Sequence, residues 1–326
     1  MLVGPLKNSP QISVIINLIT SLVLCVFIFS IDCNTIQPPN YSIHILYQYL
    51  FGAIASGYVK KALLALVILI GAFLLNFIAV NQEIIAKNNF IPAFFYTLFA
   101  YAASTKYVIE PVLLANIFLL CSIYYLLDSY RQDHLLAVFF NTGFCAGLAT
   151  FFYAYNLILI PILFIAMLIL RTFVWREWIL LLLGIITPLY IYNALTYLSN
   201  TPTINLLSVV NAAIANAHKI HLSEYFIAMF LIVIMLMVFA IFHNFKSGFG
   251  NKVKTQKAKY ILFWWLGCSL FLLFFEHTTE MNFLPCIIPL SIILGDYFGE
   301  IRKIKIANTL LLLFIVSFLL FISKAF

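Results

Sequence analysis

The stretch FKSGFGNKVKTQKAKY, residues 245–260, decides how the rest of the chain is oriented. It carries five lysines and no acidic residue, and a long apolar run lies on each side of it. Lysine and arginine are concentrated in the cytoplasmic loops of membrane proteins. The stretch is therefore predicted to be a cytoplasmic loop, and its placement gives a direction to every other apolar run.

The composition indicates a polytopic membrane protein. Of 326 residues, 64% are apolar and 9% are charged, whereas soluble domains carry about 25% charged residues. A water-soluble fold has too little interior to bury this much apolar surface, so residues 1–326 are predicted to form a single transmembrane domain. The net charge of +7 is attributed to orientation in the membrane and contact with anionic lipid, and not to nucleic acid.

The apolar runs predict an all-α fold with about eleven transmembrane helices, because each run has roughly the length that a helix needs to cross a bilayer. The runs cover about 12–31, 62–80, 90–105, 111–127, 135–153, 156–170, 178–198, 225–243, 260–275, 283–297 and 308–324. Two longer outer segments, 43–58 and 204–220, place polar and apolar residues on opposite faces of a helix. They are predicted to be interfacial helices that cover a cleft.

The positive charges predict the side of the membrane on which each connection lies. With residues 245–260 inside, thirteen of the 18 lysines and arginines fall inside and five fall outside. This asymmetry predicts a cytoplasmic N-terminus and a C-terminus on the outer side.

Small residues and prolines predict local features of the helices. Gly143 and Gly147 lie four apart in FNTGFCAGLATFF, a spacing that favours close packing of two membrane helices. Pro285 and Pro289 are expected to distort the outer half of the tenth span, where freed carbonyl groups need other partners.

Ionisable residues near the outer surface are the candidate functional residues, because burying a charge in the membrane is costly. Asp32 ends the first run, either as a general base or as the boundary of the membrane. Glu110 is either an acid that organises a metal or phosphate, or the negative charge at the start of a helix. Lys60 and Lys61 either bind a lipid phosphate or extend to the interface as anchors.

A second group of residues is predicted to lie in the same outer cleft. Lys106 joins the two lysines as a phosphate-binding candidate, and the cleft candidates are His44, Gln48, Glu276, His277 and Glu280. The turn EHTTE, residues 276–280, has a spacing that suits a divalent cation, although a solvated turn between helices has the same composition. A divalent cation is therefore the one cofactor that the sequence suggests, and its identity is left open.

Several stretches together resemble a bacterial family of polytopic inner-membrane proteins that is labelled only as a domain of unknown function. The resemblance covers most of the chain from about Asn76 onward, and the turn WREW at 175–178 is its most distinctive part. It rests on NIFLLCSIYYLLD (116–128), VFFNTGFCAGLATFFY (138–153), ILRTFVWREWILLLLGIITPLYIY (169–192) and FLPCIIPLSIILGDYFGEIRK (283–303). It implies a membrane protein of the bacterial cell envelope, and it supplies no catalytic residues. Combined with the orientation predicted from the charges, it places the chain in the bacterial inner membrane with its C-terminus in the periplasm.

The predicted architecture also resembles the GT-C membrane glycosyltransferases, which use lipid-linked sugars. The likeness consists of an inside N-terminus, an interfacial helix in the first outer loop, and a late helix containing FLP and PL. It implies that Asp32 occupies the place of the catalytic carboxylate in the first loop and Glu110 a place in the second outer loop. The chain departs from that class because neither loop holds an Asp-x-Asp or Glu-x-Asp pair.

Three functions follow as alternatives from this sequence. The first is transfer of a sugar from a polyprenyl-phosphate carrier at the outer face of the inner membrane. The second is a non-catalytic subunit or scaffold that binds protein partners in an envelope complex. The third is a flippase for a lipid-linked glycan.

Overall fold

The computed structural model describes residues 10–29, 57–86, 89–104, 111–130, 136–198, 224–247, 252–272, 283–301 and 304–324. Within these ranges the chain forms eleven α-helices and one 3-10 helix, and no residue in them lies in a strand. The prediction of an all-α fold is confirmed. Each helix falls on one of the eleven apolar runs.

The helices are numbered in chain order. They are α1 (Pro10–Phe29), α2 (Gly57–Asn81), α3 (Ile91–Ala103), α4 (Pro111–Asp128), α5 (Leu136–Phe152), α6 (Ile160–Leu170), α7 (Trp175–Leu198), α8 (Glu224–Ser247), α9 (Val253–Phe271), α10 (Leu284–Glu300) and α11 (Ile304–Lys324), with the 3-10 helix Ala154–Leu159 leading into α6.

Four of the described helices are long and apolar enough to cross a membrane. They cover Gly57–Asn81, Pro111–Asp128, Trp175–Ala194 and Ile227–Asn244. Five further apolar helical stretches in the described ranges are 10–17 residues long: Gln11–Val26, Ile91–Ala103, Leu136–Phe152, Ala154–Leu170 and Lys305–Leu320. A shorter helix spans a bilayer only where neighbouring helices shield its ends or the membrane thins. Eleven crossings therefore stay a prediction.

Helices α3 and α10 form the centre of the bundle. All thirteen residues of α3 are buried, as are residues 284–298 of α10. A helix that is apolar on every side has to be surrounded by protein or lipid, and here protein surrounds both. The two helices approach so closely that a Cβ atom on Gly295 would clash with the ring of Pro92. The side-chain amide of Asn89 also donates to the Gly295 carbonyl at 3.0 Å.

Aromatic rings fill the space beside this central pair. The Phe95 ring lies 5.3 Å from Phe298 and 5.4 Å from Phe314, measured between centroids. The Phe99 ring lies 5.3 Å from Phe314 and 6.0 Å from Phe283. Tilted and edge-to-face pairs at these distances are favourable beyond the area that they bury. They join α3 to α10 and α11.

Helices α5 and α7 pack backbone against backbone. A Cβ atom on Gly143 would clash with the carbonyl oxygen of Leu181, and one on Gly147 would lie 2.6 Å from that of Ile185. Gly184 meets α5 in the same way from the other side. The close packing predicted from the glycine spacing is confirmed, and its partner is α7.

Prolines begin helices more often than they interrupt them. Four of the six prolines within the apolar runs lie in the first turn of a helix, where a missing N–H costs nothing: Pro92, Pro111, Pro161 and Pro285. Pro188 and Pro289 lie inside helices. At the start of α10, the Asn116 side chain donates to the Leu284 carbonyl at 2.8 Å. This bond supplies an amide partner for a carbonyl group in the first turn of α10.

Replacing Gly143 by alanine should destabilise the protein by about 1–3 kcal/mol, because the new methyl group meets the α7 backbone, which has no room to move. The matched control is Gly267→Ala. A Cβ atom at Gly267 meets nothing within 4 Å, so that change should be neutral or stabilising by up to about 1 kcal/mol. Denaturation of both variants in mild detergent measures the difference. Equal stability of the two variants would contradict the packing described.

Candidate functional site

Most of the outer-face candidates lie outside the described residues. The structure therefore does not test the cleft or the covering helices predicted at 43–58 and 204–220, although α2 begins at Gly57. The candidates outside the described residues are Asp32, His44, Gln48, Lys106, Glu110, Glu276, His277 and Glu280.

Lys60 and Lys61 are described, and both belong to the start of α2. The helix begins five residues before the apolar run, so the two lysines lie within its first turns. Lys61 is only 3% exposed, and its Nζ lies 5.9 Å from the centre of the Tyr58 ring. Lys60 is half-buried. The Lys61 side chain is thus buried within the bundle at the start of α2.

Several polar contacts between helices meet at the start of α9. We call this region the α9 anchor, and it consists of Lys252, Thr255, Lys257 and Lys259. Lys252 Nζ lies 2.7 Å from Glu83 Oε2 in an exposed salt bridge, and Thr255 Oγ1 donates to the Glu83 carbonyl at 3.2 Å. Both contacts hold the C-terminal end of α2.

Glu83 has a backbone conformation that needs such support. Its φ is 57°, in the left-handed region where glycine is the usual residue. The Glu83 N–H donates to the Val80 carbonyl and the Ile84 N–H to the Ala79 carbonyl, both at 3.0 Å. This pair of bonds is a Schellman cap, which satisfies the last carbonyl groups of a helix.

Lys257 holds two further helix ends. Its Nζ donates at 2.9 Å to the carbonyl of Leu170, the last residue of α6. The same ammonium group lies 5.2 Å from the centre of the Tyr130 ring, just after α4. A cation at this place is favourable because the C-terminal end of a helix carries partial negative charge and unpaired carbonyl groups.

Lys259 is buried and meets three acceptor groups. Its Nζ lies 2.6 Å from Asp296 Oδ2 and 3.8 Å from Glu300 Oε1, both on α10, and it donates to Asn244 Oδ1 on α8 at 3.0 Å. The side chains of Lys259 and Asp296 are 3% and 7% exposed. The Asp296 and Asn244 contacts are within hydrogen-bond distance, whereas the Glu300 carboxylate acts on the ammonium group only as a nearby charge. The buried positive charge of Lys259 is therefore paired inside the bundle.

His243 extends this ionic network toward solvent. Its Nδ1 lies 3.3 Å from Glu300 Oε2, without the alignment of a hydrogen bond, and both side chains are about one-third exposed. The imidazole packs edge-on to the Tyr297 ring at 5.5 Å. The network therefore runs from a buried pair to a half-exposed pair.

The α9 anchor gathers the C-terminal ends of all five even-numbered helices. It contacts α2, α4, α6, α8 and α10, each at or just beyond its last turns. Five of the segments that the charge count assigned to the inner side thus meet at one end of the bundle. The structure shows this shared end, and the side of the membrane on which it lies stays a prediction.

The sequence prediction placed the start of the ninth helix too late. The run was expected to begin at 260, with the lysines before it in a loop, whereas α9 begins at Val253. Three of the five lysines therefore lie in the helix. A prediction from hydropathy ends a span where lysines begin. Here acceptor groups on other helices pair with the lysine ammonium groups, so the helix includes them. The available signal was Asp296, a carboxylate in an otherwise apolar run that requires a buried partner.

In the described ranges, no group of three or more His, Cys, Asp or Glu side chains is arranged to hold a metal ion. The EHTTE turn at 276–280 lies outside these ranges, so the divalent cation suggested for it stays untested.

Fold and polar contacts define an α-helical bundle in which several helices are able to cross a membrane. The chain belongs to a family of unknown function (DUF6427), whose profile matches residues 26–326. This confirms the resemblance to a family of unknown function. No curated protein and no solved structure matches the chain. The likeness to GT-C enzymes therefore has no support from a known structure and stays a prediction.

Replacing Lys259 by methionine should destabilise the protein by about 3–5 kcal/mol, because Asp296 is then left buried without its counter-ion. The double variant Lys259→Met/Asp296→Asn should recover much of that loss. Lys252→Met is the matched control, since its salt bridge is exposed and worth at most about 1 kcal/mol. Denaturation of the three variants measures the loss in free energy of unfolding for each. Equal losses for Lys259→Met and Lys252→Met would contradict a buried ion pair between Lys259 and Asp296.

Proposed function

We propose that this chain is an integral protein of the bacterial inner membrane that binds a polyprenyl-phosphate-linked sugar at its outer face and transfers the sugar. The observation that carries the proposal is the buried cation Lys61, beside Lys60, at the start of α2. About 20 residues of helix, or about 30 Å, separate it from the end of α2 that the α9 anchor holds. With the anchor at the inner face, Lys61 lies at the outer face.

A lysine in this position suits a lipid phosphate. Its ammonium group is a compact charge that binds phosphate oxygens, and a protein environment that excludes water strengthens the attraction. In this proposal the phosphate head group of the lipid lies at the outer membrane surface, where α2 begins. Lys61 precedes a wholly apolar stretch of α2, so the isoprenoid chain has an apolar surface beside the cation.

The catalytic part of the proposal rests on residues outside the described ranges. Asp32 is proposed as the general base that activates the acceptor hydroxyl, and Glu110 as the acid that organises the phosphate or its metal ion. Lys106 is proposed to add a further cation to the phosphate site. His44, Gln48 and the 276–280 turn are proposed to line the cleft.

Replacing Lys61 by glutamine should weaken binding of polyprenyl phosphate roughly tenfold, the effect of losing one charge-assisted hydrogen bond. Lys60→Gln should weaken it less, because Lys60 is more exposed. Lys252→Gln is the matched control at the opposite end of α2 and should bind as the wild type does. Native mass spectrometry of the full chain with added polyprenyl phosphate measures bound lipid, and the denaturation midpoint shows whether each variant is folded.

Three outcomes separate the alternatives. Loss of sugar transfer in Asp32→Asn with bound lipid retained supports the transferase. Movement of the lipid-linked sugar across vesicles without transfer supports the flippase instead. A stoichiometric protein partner and no lipid binding would overturn the proposal in favour of the scaffold.

A further inference from the structure

The 171–178 turn, which leads from α6 into the first residues of α7, exposes large apolar side chains. The chain is not helical between Leu170 and Trp175. Phe173 and Trp175 are 63% and 60% exposed, and Val174 is exposed between them. The turn directly precedes Trp175–Ala194, a stretch long and apolar enough to cross a membrane and only 22% buried. It therefore lies at one end of a candidate span that faces mostly out of the bundle.

Side-chain contacts hold this turn against both helices. Arg171 Nη1 lies 3.6 Å from Glu177 Oε1, so opposite charges join its two ends. The Phe173 ring lies 4.9 Å from the Trp178 ring, measured between centroids. The Trp178 ring in turn lies 5.2 Å from that of Phe164 on α6. The turn is thus held in place, and the negative charge of Glu177 is paired within it.

Arg176 carries the outward charge of the turn. Its side chain is exposed, and Cζ of its guanidinium group lies 5.7 Å from the centre of the Trp175 ring. No acidic side chain among the described residues forms a salt bridge with it. A guanidinium group that rests on an aromatic ring keeps a planar fork of N–H donors, which matches the oxygens of a phosphate.

Neither hydrocarbon nor water alone suits the 171–178 turn. Non-helical backbone exposed to acyl chains would leave N–H and C=O groups without partners. Phenylalanine and tryptophan rings exposed together to water form an apolar patch of the kind that marks a binding surface. The boundary between membrane and water satisfies both requirements, and tryptophan is enriched at that boundary.

We propose that the 171–178 turn binds the head group of an anionic phospholipid. Arg176 donates to the lipid phosphate, while the rings of Phe173 and Trp175 lie among the upper parts of the acyl chains. The inference rests on the membrane location in the proposed function, and it is independent of sugar transfer.

The leaflet follows from the neighbouring contacts. Lys257 of the α9 anchor donates to the carbonyl of Leu170, the residue just before the turn. The turn and the α9 anchor therefore share one end of the bundle. With the anchor on the inner side, the lipid belongs to the inner leaflet, whose anionic lipids attract basic residues close to the surface.

The test measures which lipid lies beside Trp175. The full chain is placed in phosphatidylcholine vesicles in which a fixed fraction of either phosphatidylcholine or phosphatidylglycerol carries brominated acyl chains, which quench tryptophan fluorescence. The signal lost in Trp175→Phe is the contribution of Trp175. Brominated phosphatidylglycerol should associate with this site about fivefold more strongly than brominated phosphatidylcholine, the effect of one basic residue at an anionic surface.

Two variants, each studied with and without Trp175→Phe, separate a site from a general charge effect. Arg176→Gln should remove the preference for phosphatidylglycerol, because it removes the phosphate donor. Lys252→Gln is the matched control, since it removes one exposed positive charge at the same end of the bundle, where Lys252 is already paired with Glu83. It should keep the preference. Equal losses in the two variants, or no preference in the wild type, would overturn the proposal.

Trp264 separates failure of this inference from failure of the membrane location. It is exposed on α9, about 16 Å along the helix from Val253, and its contribution is the signal lost in Trp264→Phe. Quenching of Trp264 without quenching of Trp175 would leave the chain in the bilayer and overturn the lipid site alone. Quenching of neither tryptophan would contradict the membrane location and the lipid site together.

Discussion

Lys259 brings a full positive charge to a site where its side chain is 3% exposed, so each N–H of its ammonium group needs an acceptor from the protein. Asp296 and Asn244 supply acceptors from two other helices, and the Glu300 carboxylate adds a negative charge 3.8 Å away. The rest of the α9 anchor repeats this arrangement on a smaller scale, with a cation at each of three more helix ends. Positive charge at the start of α9 thus joins the ends of five helices.

This arrangement links the direction of the helices to their packing. The positive end of one odd-numbered helix meets the negative ends of five even-numbered helices, and these five consequently run in the same direction where they meet α9. At the centre of the bundle, α3 packs against α10 through Gly295 and aromatic rings. The polar end is therefore fixed by electrostatics and the centre by close packing.

The sequence predicts the helices better than their contacts. Hydropathy places α4 and α5 within a residue or two at each end, and the spacing of Gly143 and Gly147 correctly predicts a tightly packed face. Hydropathy misplaces the start of α9, because the partners that allow a lysine to be buried lie on other helices. The pairing of Lys259 with Asp296 is a tertiary contact, which no local pattern encodes. The outer candidates, Asp32 and Glu110 among them, lie outside the described residues and stay predictions.

The side on which each end of the chain lies tests the account most directly. The predicted eleven crossings would place the N-terminus and the C-terminus on opposite sides, with the α9 anchor on the inner side. A reporter active only in the cytoplasm, inserted at about 249 or joined at the N-terminus, should be active, and the same reporter after residue 326 should be silent. An active C-terminal reporter, or a silent one beside the α9 anchor, would contradict the account of the bundle as a whole.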